Sequence, residues 1–292
     1  MEILEIYRER VNLYLKSYLS SLSPDNSHQS ELIDIIKYSV LAGGKRFRPI
    51  LTYTIANLFG VDLQKVDSSA CAIELIHIYS LIHDDLPSMD DDDIRHNQPS
   101  SHKVYGEAQA ILAGDGLQAL AFEIISNDDL IDSDTKVKLL SLLSLSAFKM
   151  AEGQSIDLSI VSKKVDIGIL SNLHKKKTGS LLNCSIMFGA ILNPSTSKKD
   201  LSILDSFSNH IGLAYQVQDD VLDVTTSVEV LGKSQNSDSV KNKPSYPSIL
   251  GLEESVAMYE GLYKKALDEI SLLSIDVKPL KALTAKLMKR SF

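Results

Sequence analysis

Apolar residues recur every three or four positions along almost the whole chain. Ile3, Ile6, Val11, Leu15 and Tyr18 form a first row, Leu32, Ile35, Ile36 and Val40 a second, and further rows cover 50–59 and 66–83. This spacing lines one face of a helix with apolar side chains. The same period predicts helices over 107–126, 134–150, 171–189, 199–224, 253–272 and 278–290. No segment sustains the alternation of a half-buried strand, so the expected fold class is all-α. Gly43-Gly44 and Gly60 suit helix ends, Asp134 suits a helix start, and Pro24, Pro99 and Pro194 fall between elements. Only 225–247 resists a helical reading. It is rich in Ser, Asn, Lys and Asp, which fits a lid or a polar surface loop.

Composition narrows the class. A chain of 292 residues with 44% hydrophobic and 23% charged content can bury a large core, which excludes general disorder. No Pro/Gly/Ser-rich linker and no internal repeat divides it, so a single domain over 1–292 is expected. A net charge of -8 argues against nonspecific nucleic-acid binding. The amino-terminal residues mix charges with apolar side chains and lack a signal-peptide pattern. The most apolar stretch, 110–125, carries Asp115, Gln118 and Glu123, which reads as a core helix and not as membrane insertion. Cys71 and Cys184 fall in apolar helical rows and read as reduced thiols of a cytoplasmic protein.

Two acidic clusters change the picture from fold to chemistry. Asp84-Asp85-Leu-Pro-Ser-Met-Asp90 and Asp219-Asp220-Val-Leu-Asp223 each close a long apolar helical segment. The run of acids from Asp90 to Asp93 would alone read as a solvated turn. The second cluster reads otherwise: Asp219 and Asp223 share one helical face about 6 Å apart, Gln216 lies one turn earlier, and apolar residues flank all three. Carboxylates gathered in a cleft repel one another unless a cation joins them. All-oxygen ligands select a hard ion, and Mg2+ fits best because it completes its shell with water and substrate phosphate. The clusters therefore imply a phosphorylated substrate.

Cations complement them. Gly43-Gly44-Lys45-Arg46-Phe47-Arg48-Pro49 places two or three cations on a turn between helices, where they can converge on an anion. Lys175-Lys176-Lys177-Thr178-Gly179 adds a second basic group, although a lysine triplet by itself suits a wet helix face. Lys233 and Lys243 lie in the non-helical stretch, where a lid could close them over phosphate. His77 stands two turns before Asp84 on roughly the same face.

Together these residues resemble the short-chain trans-isoprenyl diphosphate synthases, and within them the bacterial farnesyl-forming type. The likeness runs from Gly43–Pro49 through Ser80–Asp90, His102-Lys103, Ala113-Gly114-Asp115, Gly153-Gln154, Lys177-Thr178-Gly179 and Gln216–Asp223 to Asn242-Lys243 and Tyr246-Pro247. The resemblance implies an isoprenoid synthase-type bundle of roughly ten or more helices around a central cavity. It also implies a cytoplasmic homodimer that uses Mg2+, three ions with substrate bound. Asp84, Asp90, Asp219 and Asp223 would be the metal set, with Asp85 and Asp220 in support. Arg95, Lys177, Thr178, Gln216, Lys233 and Lys243 match the allylic-diphosphate site; Lys45, Arg48 and His77 match the isopentenyl-diphosphate site. The implied catalytic set is Asp84, Asp85, Lys177, Thr178, Gln216 and Asp219. The implied reaction condenses isopentenyl diphosphate with dimethylallyl and geranyl diphosphate to (2E,6E)-farnesyl diphosphate; geranylgeranyl- or geranyl-forming relatives are the alternative.

Tyr79 lies about 7.5 Å below Asp84 along the helix, and the resemblance implies that an aromatic near Tyr79 and Ser80 floors the cavity and stops growth at fifteen carbons; the other reading is that Tyr79 only packs between helices. Two departures stand out. Arg95-His96 replaces the usual pair of arginines, exchanging a permanent cation for a titratable ring at the isopentenyl-diphosphate site, so weaker binding that improves toward pH 6 is expected. Glu152 stands where the family has a small residue, and the sequence offers no reason for it.

Overall fold

Helices dominate the computed structural model, which describes residues 2–22, 31–225 and 243–288. Lys233, most of the 225–247 stretch, Pro24 and the end of the 278–290 helix lie outside the described residues. The helices are α1 Glu2–Ser21, α2 Glu31–Val40, α3 Phe47–Leu58, α4 Asp67–Asp84, α5 Ser101–Tyr105, α6 Glu107–Ser126 and α7 Ser133–Ile160. After them come α8 Ile167–His174, a π-helical turn Lys175–Gly179, α9 Ser180–Ile191, α10 Lys198–Thr225, α11 Tyr246–Leu250, α12 Leu252–Ile270 and α13 Lys278–Met288. The fold class is all-α. Strand pairing among the described residues is limited to a hairpin, β1 Ile94–Arg95 against β2 Gln98–Pro99.

Several departures from the periodicity have local causes. The start of α7 is capped by Asp132, not Asp134: the Thr135 N–H donates to Asp132 Oδ1 at 3.0 Å, which also holds that carboxyl below its usual range. The single helix expected over 171–189 is broken by the π turn. The polar stretch ends earlier than expected, because Ser245 and Ser248 form a capping box and start α11.

The chain divides into two compact units, one of Met1–Ser144 with Phe188–Pro194 and one of Leu145–Met187 with Ser195–Phe292. In the first, Tyr7, Val11, Leu15 and Leu19 give α1 a fully buried edge at four-residue spacing. Tyr7 stacks on Tyr53 of α3 at 5.3 Å. Arg10 donates two hydrogen bonds of 2.6 Å to Asp67, which also accepts from the Tyr53 hydroxyl. Gly189 lets its segment meet α3, since an added Cβ would lie 2.6 Å from the Thr52 carbonyl oxygen. By length and composition α6 could cross a membrane; here its Ala113, Gly114, Leu117 and Ala121 are buried. In the second unit α10 packs along α12, burying Phe207, Ile211, Ala214, Val217 and Val221.

Candidate active site

In the first unit, α4 carries a buried apolar stem that ends at Asp84. The chain then turns sharply, and the Asp90 N–H donates to the Asp84 carbonyl at 2.9 Å. That bond brings the backbones of the two half-buried acids together across one loop. Asp91 follows in the left-handed region at φ 49°. His96 and Asn97, at φ 51° and 61°, form the tight turn of the hairpin. The turn sends Arg95 back to the end of α4, where its Nε lies 3.1 and 3.2 Å from the two oxygens of Asp85 and its guanidinium tip also donates to Oδ1. Asp85 is 2% exposed. Burial raises its carboxyl above the usual range and Arg95 opposes the rise. In this state Asp85 anchors the hairpin.

The Gly43–Pro49 turn separates its cations. Gly43 and Gly44 take φ 95° and 118°, and Arg46 follows at φ 48°. Arg46 is buried and structural: it donates to Glu74 and to Asn12 at 2.9 Å each, and to the Val40 carbonyl. With Arg46 pinned inward, Lys45 is exposed and Arg48 half-buried on the first turn of α3. The His96 ring lies against Gly44, where an added Cβ would meet Cε1 at 3.4 Å. Burial pushes His77 well below the ordinary imidazole range, and the charges of Arg48, His96, Arg95 and Arg46 push the same way. His77, Arg48 and His96 therefore share one electropositive neighbourhood.

Desolvation and the charges of Arg95 and Arg46 also lower His96. The ring takes up its proton at more acid pH than free imidazole, so the expected gain in anion binding shifts to the acid side. His96→Arg should lower the Michaelis constant for isopentenyl diphosphate several-fold and flatten its acid-side pH dependence. A Michaelis constant unmoved by the substitution across that range would exclude His96 from binding.

Tyr79 meets His83 edge-on at 5.1 Å, and Ser80 Oγ donates to the His77 carbonyl at 2.7 Å. His83 itself packs on Gly114, where any Cβ would fall 2.1 Å from Nε2. This explains the glycine in Ala113-Gly114-Asp115.

In the second unit lie four of the predicted allylic-diphosphate residues, Lys177, Thr178, Gln216 and Lys243, two of them on the π turn. Gly153 on α7 permits the approach, because a Cβ there would lie 2.3 Å from the Lys177 backbone nitrogen; Gly212 on α10 does the same for Gly179, at 3.3 Å. A π turn widens the helix locally, a feature frequent at functional sites. It points Lys177 Nζ at Asp157 Oδ2, 2.8 Å away, and Thr178 Oγ1 at Gln216 Oε1, 2.9 Å away. Lys243 Nζ reaches the same Asp157 oxygen at 3.0 Å. Burial would raise the Asp157 carboxyl, but the two lysines outweigh it and hold it below the usual range. Glu152 now has a reason: its Oε1 takes Lys176 at 2.5 Å. Two lysines of the triplet thus have acidic partners, against the reading of a wet face.

The second acidic cluster divides its work. Asp219 is half-buried and Asp223 buried on the same face of α10. Asp220 instead accepts the Tyr246 N–H at 3.0 Å, tying down the start of α11. Gln218 accepts from the Tyr263 hydroxyl at 2.9 Å and donates to the Met288 carbonyl at 3.0 Å. His174 stacks on Tyr246 at 5.5 Å, and burial pushes its pKa down to about 3.

The donor chemistry fits a hard divalent ion. Asp84 and Asp90 in the first unit, and Asp219 and Asp223 in the second, offer only oxygen, and each is at least half-buried. Beside Asp90, the described residues also gather ligand atoms of Asp91, Asp93 and His102 within 4.8 Å of one another, with Lys103 Nζ 2.7 Å from Asp93. These three residues are separate from the predicted metal set, and Lys103 already pairs with Asp93. Sequence spacing did not single out Asp157 or His83, because their partners, Lys177 and Lys243 for the first and Ile111 and Gly114 for the second, lie far along the chain.

Comparison with known proteins agrees with this chemistry. The profile of the Polyprenyl synthetase family matches residues 29–273. The chain is 38% identical to the farnesyl diphosphate synthase of Escherichia coli K12, covering 99% of this chain and 98% of that protein. It is 39% identical to geranylgeranyl pyrophosphate synthase 4 of Arabidopsis thaliana, covering 97% and 76%. It superposes with a TM-score of 0.81 at 30% identity on a Helicobacter pylori geranyltransferase solved with magnesium and isoprenyl diphosphate, covering 99% and 97%.

Proposed function

The chain belongs to the polyprenyl synthetase family, and from that premise we propose that it condenses isopentenyl diphosphate with dimethylallyl and then geranyl diphosphate, giving (2E,6E)-farnesyl diphosphate. The observation that carries this reading is the π turn that sets Thr178 beside Gln216 and brings Lys177 to the Asp157 oxygen that Lys243 also reaches. Breaking an allylic carbon–oxygen bond leaves a delocalised carbocation and a diphosphate. Fixed ammonium groups stabilise the charge that grows on the leaving oxygen. Asp84, Asp90, Asp219 and Asp223 would hold Mg2+, three ions with substrate bound, which supplies further neutralisation of the diphosphate when present. Lys45, Arg48, His77 and His96 would bind isopentenyl diphosphate, and Arg95 would reach the allylic diphosphate by leaving Asp85. The Gln216 amide and Thr178 hydroxyl would orient charge near the reacting carbons. Apolar walls would keep water from the cation.

The test is incubation of the pure protein with Mg2+, isopentenyl diphosphate and geranyl diphosphate, followed by chain-length analysis. A fifteen-carbon product that disappears on chelation is expected; no prenyl transfer at all would sink the reading. The twenty-carbon alternative has the Arabidopsis relative in its favour. Tyr79, half-buried beside His83, argues for fifteen, and Tyr79→Ala should shift product toward twenty carbons and beyond. An unchanged product profile would remove that role from Tyr79.

Assembly and location follow the same reading. Val137, Leu145 and Phe148 expose apolar side chains along α7 at helical spacing, Phe148 being 66% exposed, which supports a homodimer of 32.2 kDa chains burying that row. The family match over 29–273 draws on both units and supports one domain. Free, buried Cys71 and Cys184 suit a cytoplasmic protein.

A further inference from the structure

None of the roles assigned above uses Asp157, yet it is the charge on which two candidate diphosphate lysines converge. Its Oδ2 accepts from Lys177 at 2.8 Å and from Lys243 at 3.0 Å, and the residue is 8% exposed. Two ammonium groups bonded to one oxygen repel each other strongly in so dry a place, and only an anion between them makes the arrangement favourable. Among the described residues His174 also lies near enough to feel the Asp157 charge, and burial keeps its ring neutral, so it adds no third cation. Asp157 sits one helical turn past Gly153, the residue that admits the Lys177 backbone, so α7 supplies both the space for the π turn and the carboxylate that aims its lysine. A single anionic oxygen held between two ammonium donors is also what a diphosphate oxygen would be.

We propose that Asp157 is the resident counter-ion of the diphosphate site: a positioning residue whose carboxylate holds Lys177 and Lys243 ready, then yields them to the allylic diphosphate and takes them back when diphosphate leaves. The proposal rests on the reading of those lysines as diphosphate ligands. Its consequence is competitive. A bound diphosphate leaves the Asp157 carboxylate buried beside another anion with its partners drawn away, a cost that every occupied state carries and every release recovers. The carboxylate therefore trades affinity for release.

Inorganic diphosphate in the presence of Mg2+ is the probe, titrated calorimetrically into the full chain. Asp157→Asn should bind it about tenfold more tightly. In turnover with isopentenyl and geranyl diphosphates, kcat and the Michaelis constant for geranyl diphosphate should fall together as release slows. Asp157→Glu, which keeps the charge, should stay near the parent affinity. Equal or weaker diphosphate binding by a folded Asn variant overturns the proposal, because a carboxylate that merely braced the fold would give that result. If the Asn variant does not fold, the unaltered chain decides: a diphosphate-bound crystal structure should show at least one lysine released from Asp157, and both bonds intact would overturn the exchange. Diphosphate binding needs no prenyl transfer. A chain that binds it as expected but forms no prenyl product would remove the farnesyl reading and leave the counter-ion assignment standing.

Discussion

Replacing Asp84 and Asp90 together by asparagine should lower kcat/KM for prenyl condensation about a thousandfold while leaving the helices intact. The substitution keeps the size and much of the hydrogen bonding of each side chain and removes only charge. The backbone bond from Asp90 N–H to the Asp84 carbonyl, at 2.9 Å, does not depend on either carboxylate, so the loop should retain its shape. What is lost is the pair of hard oxygen ligands at the end of α4, and with them the cation that would neutralise a diphosphate. The experiment is steady-state kinetics across a range of Mg2+ concentrations, with circular dichroism to check the fold. Parent-like rates in a folded double variant would remove the first acidic cluster from the chemistry. Asp85 makes a useful contrast, since its burial and its bonds to Arg95 give it a hairpin to hold in this state.

Glu74→Ala should destabilise the fold by about 3–5 kcal/mol, because it strands the Arg46 guanidinium in the interior without its counter-ion. The side chains of Arg46 and Glu74 are 2% and 5% exposed, and their bond is 2.9 Å. Breaking a buried pair from one side costs far more than the net worth of the pair, since the remaining charge stays desolvated. In a chain of this size the loss corresponds to a fall in Tm on the order of 10 °C. The damage should also reach the site. Arg46 adopts the left-handed conformation that lets the glycine-rich turn enter α3, so a loosened Arg46 should raise the Michaelis constant for isopentenyl diphosphate through Lys45 and Arg48. Thermal melting of Glu74→Ala beside the parent decides it; a shift of a degree or less would show that the pair is dispensable.

Both outcomes turn on partners that lie far apart in the chain, and here sequence reading and structure part company. The helical period was legible nearly throughout: α6 spans 107–126 as the spacing predicts, and α10 runs from 198 to 225 against an expected 199–224. Such patterns are legible because i to i+4 geometry is local, and an apolar stripe can be read wherever one face is buried. The i, i+4 placement of Asp219 and Asp223 is legible for the same reason. Short elements were not. The hairpin at 94–99 depends on two left-handed residues, and α11, only five residues long, depends on a capping box. Neither is long enough to display a period.

Sequence alone determined the all-α class, the positions of the long helices, the two acidic clusters and the cations that imply a diphosphate substrate. Tertiary structure decided what several of the neighbouring polar residues bond to. It turned Arg46 inward to Glu74 and left Lys45 exposed and Arg48 half-buried; it assigned Asp220 and Gln218 to hold α11, α12 and α13; it gave Glu152 a partner and converged two lysines on Asp157. The physical reason is range. Helix periodicity is written within a few residues, whereas the worth of a charge depends on burial and on partners that only the folded chain brings within reach.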